Sequence, residues 1–117
     1  VHGDIRPENM LIGSNRGSRV VKIANFEHAT SYNQEIPKPA EIAPDKMIYT
    51  SRGKQRNFEG SKKDDVESWM YCMAEFFHKE LMPWHPEIDN EKKDKWQISA
   101  PGTPGHDIEM LKLKRAF

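Results

Sequence analysis

The sequence predicts an α+β fold that is mainly α, and three observations carry that expectation. Apolar residues recur at three- and four-residue intervals through 63–80, the mark of an amphipathic helix. Two short β-branched runs, Met10-Leu11-Ile12-Gly13 and Val20-Val21-Lys22-Ile23-Ala24, flank the polar stretch Ser14-Asn15-Arg16-Gly17-Ser18-Arg19, a β-hairpin pattern. Residues 28–48 show no sustained period and hold Pro37, Pro39 and Pro44, which predicts irregular chain.

The helix is the strongest of these elements. Val66, Trp69, Met70, Met73, Phe76 and Phe77 share one face, and Ser61 followed by Asp64 forms a capping-box pattern. Asp65 and Glu67 add carboxylates to the first turn, where the helix dipole favours them, and Pro83 bounds the far end. Burial of six such side chains, at roughly 1.5–3 kcal/mol each, would make this face the main source of hydrophobic stabilisation. A last short helix is expected over 107–116 on Ile108, Leu111 and Leu113. A long irregular segment such as 28–48 inside one domain is usually functional or disordered.

Length and composition set bounds. At 117 residues the chain suits one domain, and 36% hydrophobic against 31% charged residues implies a thin core. Eighteen basic and eighteen acidic residues cancel, so no global field draws in nucleic acid or an anionic membrane. Cys72 is alone and cannot form an internal disulfide, and no apolar run reaches the eighteen residues of a membrane span. A cytoplasmic or nuclear setting is expected. Val1 is not an initiator methionine, and the chain is expected to begin inside a longer reading frame.

Chemistry concentrates in the first nine residues, Val1-His2-Gly3-Asp4-Ile5-Arg6-Pro7-Glu8-Asn9. Asp4, Arg6 and Asn9 can converge as a base, a cation for a phosphate and a neutral metal ligand. The spacing resembles the catalytic loop of eukaryotic protein kinases, His-Arg-Asp, four residues, then Asn. Asn25-Phe26-Glu27 stands after the hairpin, where those enzymes carry Asp-Phe-Gly. Tyr49-Thr50-Ser51, Ser61-Lys62-Lys63-Asp64-Asp65-Val66-Glu67-Ser68 and Leu81-Met82-Pro83-Trp84 are similar, in the same order, to motifs of the casein kinase I family and its tau-tubulin kinase-like branch. The likeness covers about residues 1–84.

That resemblance implies a partial C-lobe of a protein kinase over 1–117: catalytic loop, small β-hairpin, irregular activation segment and central buried helix. In intact relatives the reaction moves the γ-phosphoryl of Mg-ATP to a protein Ser or Thr hydroxyl. Asp4 would accept the hydroxyl proton, Arg6 would contact the γ-phosphate, and Asn9 would hold magnesium beside a degraded metal position at Asn25. Two residues have implied supporting roles. His2 would pack the loop against the central helix, and Asp65 would accept hydrogen bonds from the loop backbone, whose ordinary alternative is a first-turn carboxylate.

The departures from the pattern strike at this chemistry. Gly3 replaces the loop arginine, Asn25 removes a charged magnesium ligand, and Glu27 adds a side chain where the family has glycine. If the metal supplies several kcal/mol to the transition state, losing its anchor lowers the rate on the order of a thousandfold or more. The glycine-rich phosphate loop, the ATP-positioning lysine and its glutamate are also absent from the sequence, so no bound Mg-ATP is expected. The readings open at this stage are an inactive kinase domain fragment, a pseudokinase docking module with a protein partner, and a gene remnant that does not fold. The five histidines show no metal spacing. Arg52, Lys54, Arg56, Lys62 and Lys63 form either an anion-binding face or an ordinary solvated surface.

Overall fold

The computed structural model describes residues 1–15, 19–31, 47–56, 60–78, 81–85 and 104–117, apart from the side chains of Pro104, His106 and Asp107. Among these the fold is mixed α and β and mainly helical. A 3-10 turn at Pro7–Asn9 leads into β1 (Met10–Ile12), which pairs antiparallel with β2 (Val21–Ile23). The helices α1 (Arg52–Gln55), α2 (Lys62–Phe77) and α3 (Pro104–Ala116) follow.

The hairpin has the register Met10↔Ile23, Leu11↔Lys22 and Ile12↔Val21, and the Ala24 N–H donates to the Asn9 carbonyl at 2.9 Å to continue it. It contributes little to the core, since every residue of it is exposed except the half-buried Met10. Residues 32–46, the larger part of the stretch 28–48 expected to be irregular and to correspond to an activation segment, lie outside the described residues, as do 16–18 of the expected hairpin connection and 79–80 at the predicted helix end.

α2 begins one residue before the predicted start and stops at Phe77, because His78 adopts an extended conformation (φ −166°, ψ 117°). The Ser61 N–H donates to Asp64 Oδ2 at 2.7 Å as the capping-box pattern requires. Asp64 also joins two helix starts. Its Oδ1 accepts from the Ser51 hydroxyl at 2.7 Å, while Ser51 Oγ accepts the Lys54 N–H at 3.1 Å to cap α1.

The apolar face predicted for α2 is not the face it buries. Val66, Trp69, Met70, Phe76 and Phe77 are exposed, at 64%, 48%, 43%, 58% and 84% respectively, and only Met73 is packed against the core. The stripe turned inward carries Asp64, Ser68, Tyr71 and Cys72. The reason is polar: this stripe supplies the groups that satisfy α1, the N-terminal loop and the 47–51 segment, and those partners cover it. The central helix is therefore half buried, on its more polar side.

The core is Ile5, Tyr49, Tyr71, Cys72, Met82, Trp84 and Met110. Tyr71 and Trp84 meet edge to face at 5.3 Å, and the Trp84 indole N–H donates to the Ile48 carbonyl at 2.9 Å. α3 starts three residues earlier than predicted, with Pro104 first, where a missing N–H leaves nothing unsatisfied. It turns Met110 and Lys114 inward, one turn apart, rather than Ile108. Lys114 Nζ donates to the carbonyls of Met47 and Thr50, each at 2.6 Å, and to Gln55 Oε1 at 3.0 Å, beneath the rings of Tyr71 and Trp84. No helix among the described residues is long and apolar enough to cross a membrane.

Candidate functional site

The N-terminal loop is held from three sides. Val1 and Thr30 exchange two hydrogen bonds of 2.9 Å, laying residues 28–30 beside the loop's first residues. The carboxylate of Asp65 accepts the His2 N–H at Oδ2 (2.6 Å) and the Gly3 N–H at Oδ1 (2.9 Å). Lys54 Nζ donates to the Gly3 carbonyl at 2.5 Å. An irregular loop has no ladder of its own, so each of these bonds replaces one that water would otherwise make.

His2 is buried, and its ring meets the end of the hairpin. Nε2 lies 3.0 Å from the Ala24 carbonyl, Nδ1 accepts the Asp4 N–H at 3.3 Å, and the ring meets Phe26 edge on at 4.9 Å. Its link to α2 runs through its backbone and Asp65. The ring's partners thus lie on 24–26, while the tie to the helix that the resemblance implies is made by the His2 backbone.

Asp4, Arg6, Asn9 and Asn25 form one connected group. Asn9 Nδ2 donates to the Asp4 carbonyl (2.8 Å) and to Asp4 Oδ2 (3.1 Å), Arg6 Nε stands 3.3 Å from Asp4 Oδ1, and Asn25 Nδ2 donates to Asn9 Oδ1 at 3.3 Å. Arg6 Nε is buried and meets Asp4 as a charge, without an aligned hydrogen bond. Asn25 has φ +61°, a left-handed conformation that asparagine tolerates better than most residues and that clusters at functional turns. Glu27 is exposed.

These donors do not suit a magnesium ion. The ion asks for about six oxygens in octahedral array, anchored by one or two carboxylates. Here the only carboxylate of the group, Asp4, faces Arg6 and Asn9, and the amide oxygen of Asn9 is taken by Asn25. Among the described residues no cluster of three or more His, Cys, Asp or Glu side chains could hold a metal. What the arrangement does is fix the loop: each polar side chain points at another part of the same loop or its neighbour.

The basic cluster is drawn largely into internal contacts. Arg52 gives its N–H (2.9 Å) and Nε (3.0 Å) to Glu67, Lys54 holds Gly3, and Arg56 Nε donates to the Arg52 carbonyl at 3.3 Å; Lys62 and Lys63 are exposed. An anion-binding face of all five is therefore not assembled. Burial favours the neutral form of Glu67, but bonds from Arg52 and the Tyr71 hydroxyl outweigh it and keep its carboxyl below the usual range. Asp64 behaves alike: burial opposes its charge, and the bonds from Ser61 and Ser51 prevail. Burial pushes the Cys72 thiol up to about 12, with Glu75 adding to the effect, so it is a core group and no nucleophile.

The sequence reading missed two anchors. Lys54 lies fifty-one positions from Gly3, and nothing local marks it as a loop anchor. Glu75, an ordinary helix carboxylate by sequence, accepts the Tyr49 hydroxyl at 2.5 Å and lies 3.1 Å from His85 Nε2, tying 49–51 to the segment after α2. No protein-family model matches the chain.

Proposed function

We propose that the chain is a casein kinase I-like C-lobe fragment that keeps the form of a catalytic loop without phosphoryl transfer. The observation that carries this reading is the Asp65 carboxylate, sixty-two positions from Gly3, accepting two consecutive loop amides beside the Asp4–Arg6–Asn9 group. A carboxylate so placed holds the residues around Asp4 in one shape, the role the family resemblance assigns to it. In intact relatives Asp4 would accept the hydroxyl proton of a protein Ser or Thr, and Arg6 would face the γ-phosphate. The pairing of Asn25 with Asn9, in place of a second carboxylate, favours the inactive form, with the lobe serving as an intracellular docking module for a protein partner.

The test is nucleotide binding and transfer. Titration with millimolar Mg-ATP should leave the melting temperature unchanged, and no label should pass from ATP to casein. Micromolar Mg-ATP affinity that tightens in Asn25→Asp would instead make the chain part of a working kinase.

A further inference from the structure

We propose that the apolar face of α2 is a self-association surface, on which a second copy of this chain packs antiparallel about a two-fold axis near Met70. This inference is independent of the kinase reading.

At 100° per residue, Val66, Trp69, Met70, Met73, Phe76 and Phe77 fall on one stripe along α2, and all but Met73 are exposed. With about 150–250 Å² for each aromatic side chain, the exposed parts sum to roughly 600 Å². That equals or exceeds the largest apolar patch of an ordinary monomer, about 300–600 Å². A stable dimer buries about 800 Å² on each partner, so the stripe by itself supplies most of one half-interface.

Charge selects the orientation. Lys62 and Lys63 adjoin the N-terminal end of the stripe and are exposed, whereas the last turn of α2 carries no basic residue to offset the partial negative charge of its carbonyl end. Antiparallel packing sets these lysines of one copy against residues 76–78 of the other, twice over. Parallel packing would place lysines against lysines. The midpoint of Lys62–Phe77 falls between Trp69 and Met70, which puts the axis there and Trp69 at the interface centre, the position where large aromatics dominate binding.

Light scattering on the chain from about 1 to 200 µM should show the mass rising from 13.6 kDa toward twice that value. Trp69→Glu, at an exposed position, should keep the far-UV spectrum and weaken association at least about thirtyfold. Under mild oxidation Met70→Cys should link two chains, because the axis brings its copies together. Val66→Cys should not, because its two copies lie about 10 Å apart at 1.5 Å per residue. The proposal is overturned by a monomer at every concentration, by polydisperse aggregates, by undiminished association of Trp69→Glu, or by Val66→Cys linking as readily as Met70→Cys.

Discussion

Gly3 is the residue at which the local backbone and the kinase-like pattern conflict. Its φ of +84° lies in the left-handed region, and a Cβ built there would stand 3.0 Å from the His28 carbonyl oxygen. The residue that the kinase pattern places at this position, arginine, therefore has neither the backbone nor the space it needs. Gly3→Ala should lower stability by about 1–2 kcal/mol in urea unfolding, and Gly3→Arg by at least as much, so introducing the residue of the kinase pattern harms the loop. Wild-type stability in Gly3→Arg would show that the loop adopts another path.

At the scale of elements, two adjacent carboxylates at the start of α2 serve different neighbours. Asp65 faces the N-terminal loop and Asp64 faces α1, so their removal should be separable. Asp65→Ala should speed hydrogen exchange at the amides of His2 and Gly3. Asp64→Ala should leave those amides protected while lowering global stability by about 2–4 kcal/mol, because it strips a cap and removes the acceptor of the Ser51 and Ser61 hydroxyls. Acid should act through the same join. The folded-state pKa values of Asp64 and Glu67 lie below their ordinary 3.8 and 4.5, so the stability they confer is complete above those values and is lost as pH falls through the lower folded ones. Thermal melts should therefore be insensitive to these groups near neutrality and fall steeply below about pH 4. Asp64→Asn should flatten that acid limb; an unchanged limb would assign acid sensitivity elsewhere.

For the whole molecule, α3 closes a core of few apolar residues, and Lys114 is its fastening. It brings a cation to two backbone carbonyls and an amide oxygen that a thin core could not otherwise satisfy. Lys114→Ala should cost on the order of 3 kcal/mol, since it removes three hydrogen bonds and leaves buried carbonyls unmet. In a fold of this size that shift would be seen as a melting temperature lower by roughly 10 °C or more. A loss below about 1 kcal/mol would mean that water replaces the ammonium.

The residues by themselves determined the class of the fold, the hairpin, the existence of α2 and α3 and the capping box at Ser61, all features set by neighbours within a few positions. They also marked Asp4, Arg6, Asn9 and Asn25 as one group, through spacing and family likeness. α1 escaped notice because four residues without an apolar period leave only the Ser51 cap as a signal. Only the tertiary structure decided which face of α2 is covered, where Lys54, Glu75 and Lys114 are anchored, and that the Gly3 backbone excludes a side chain. Periodicity measures how uneven a helix is around its axis, but burial depends on which distant groups arrive. Here the arriving groups were polar, and their hydrogen bonds to Asp64, Asp65 and Glu67 set the inward side against the hydrophobic pattern.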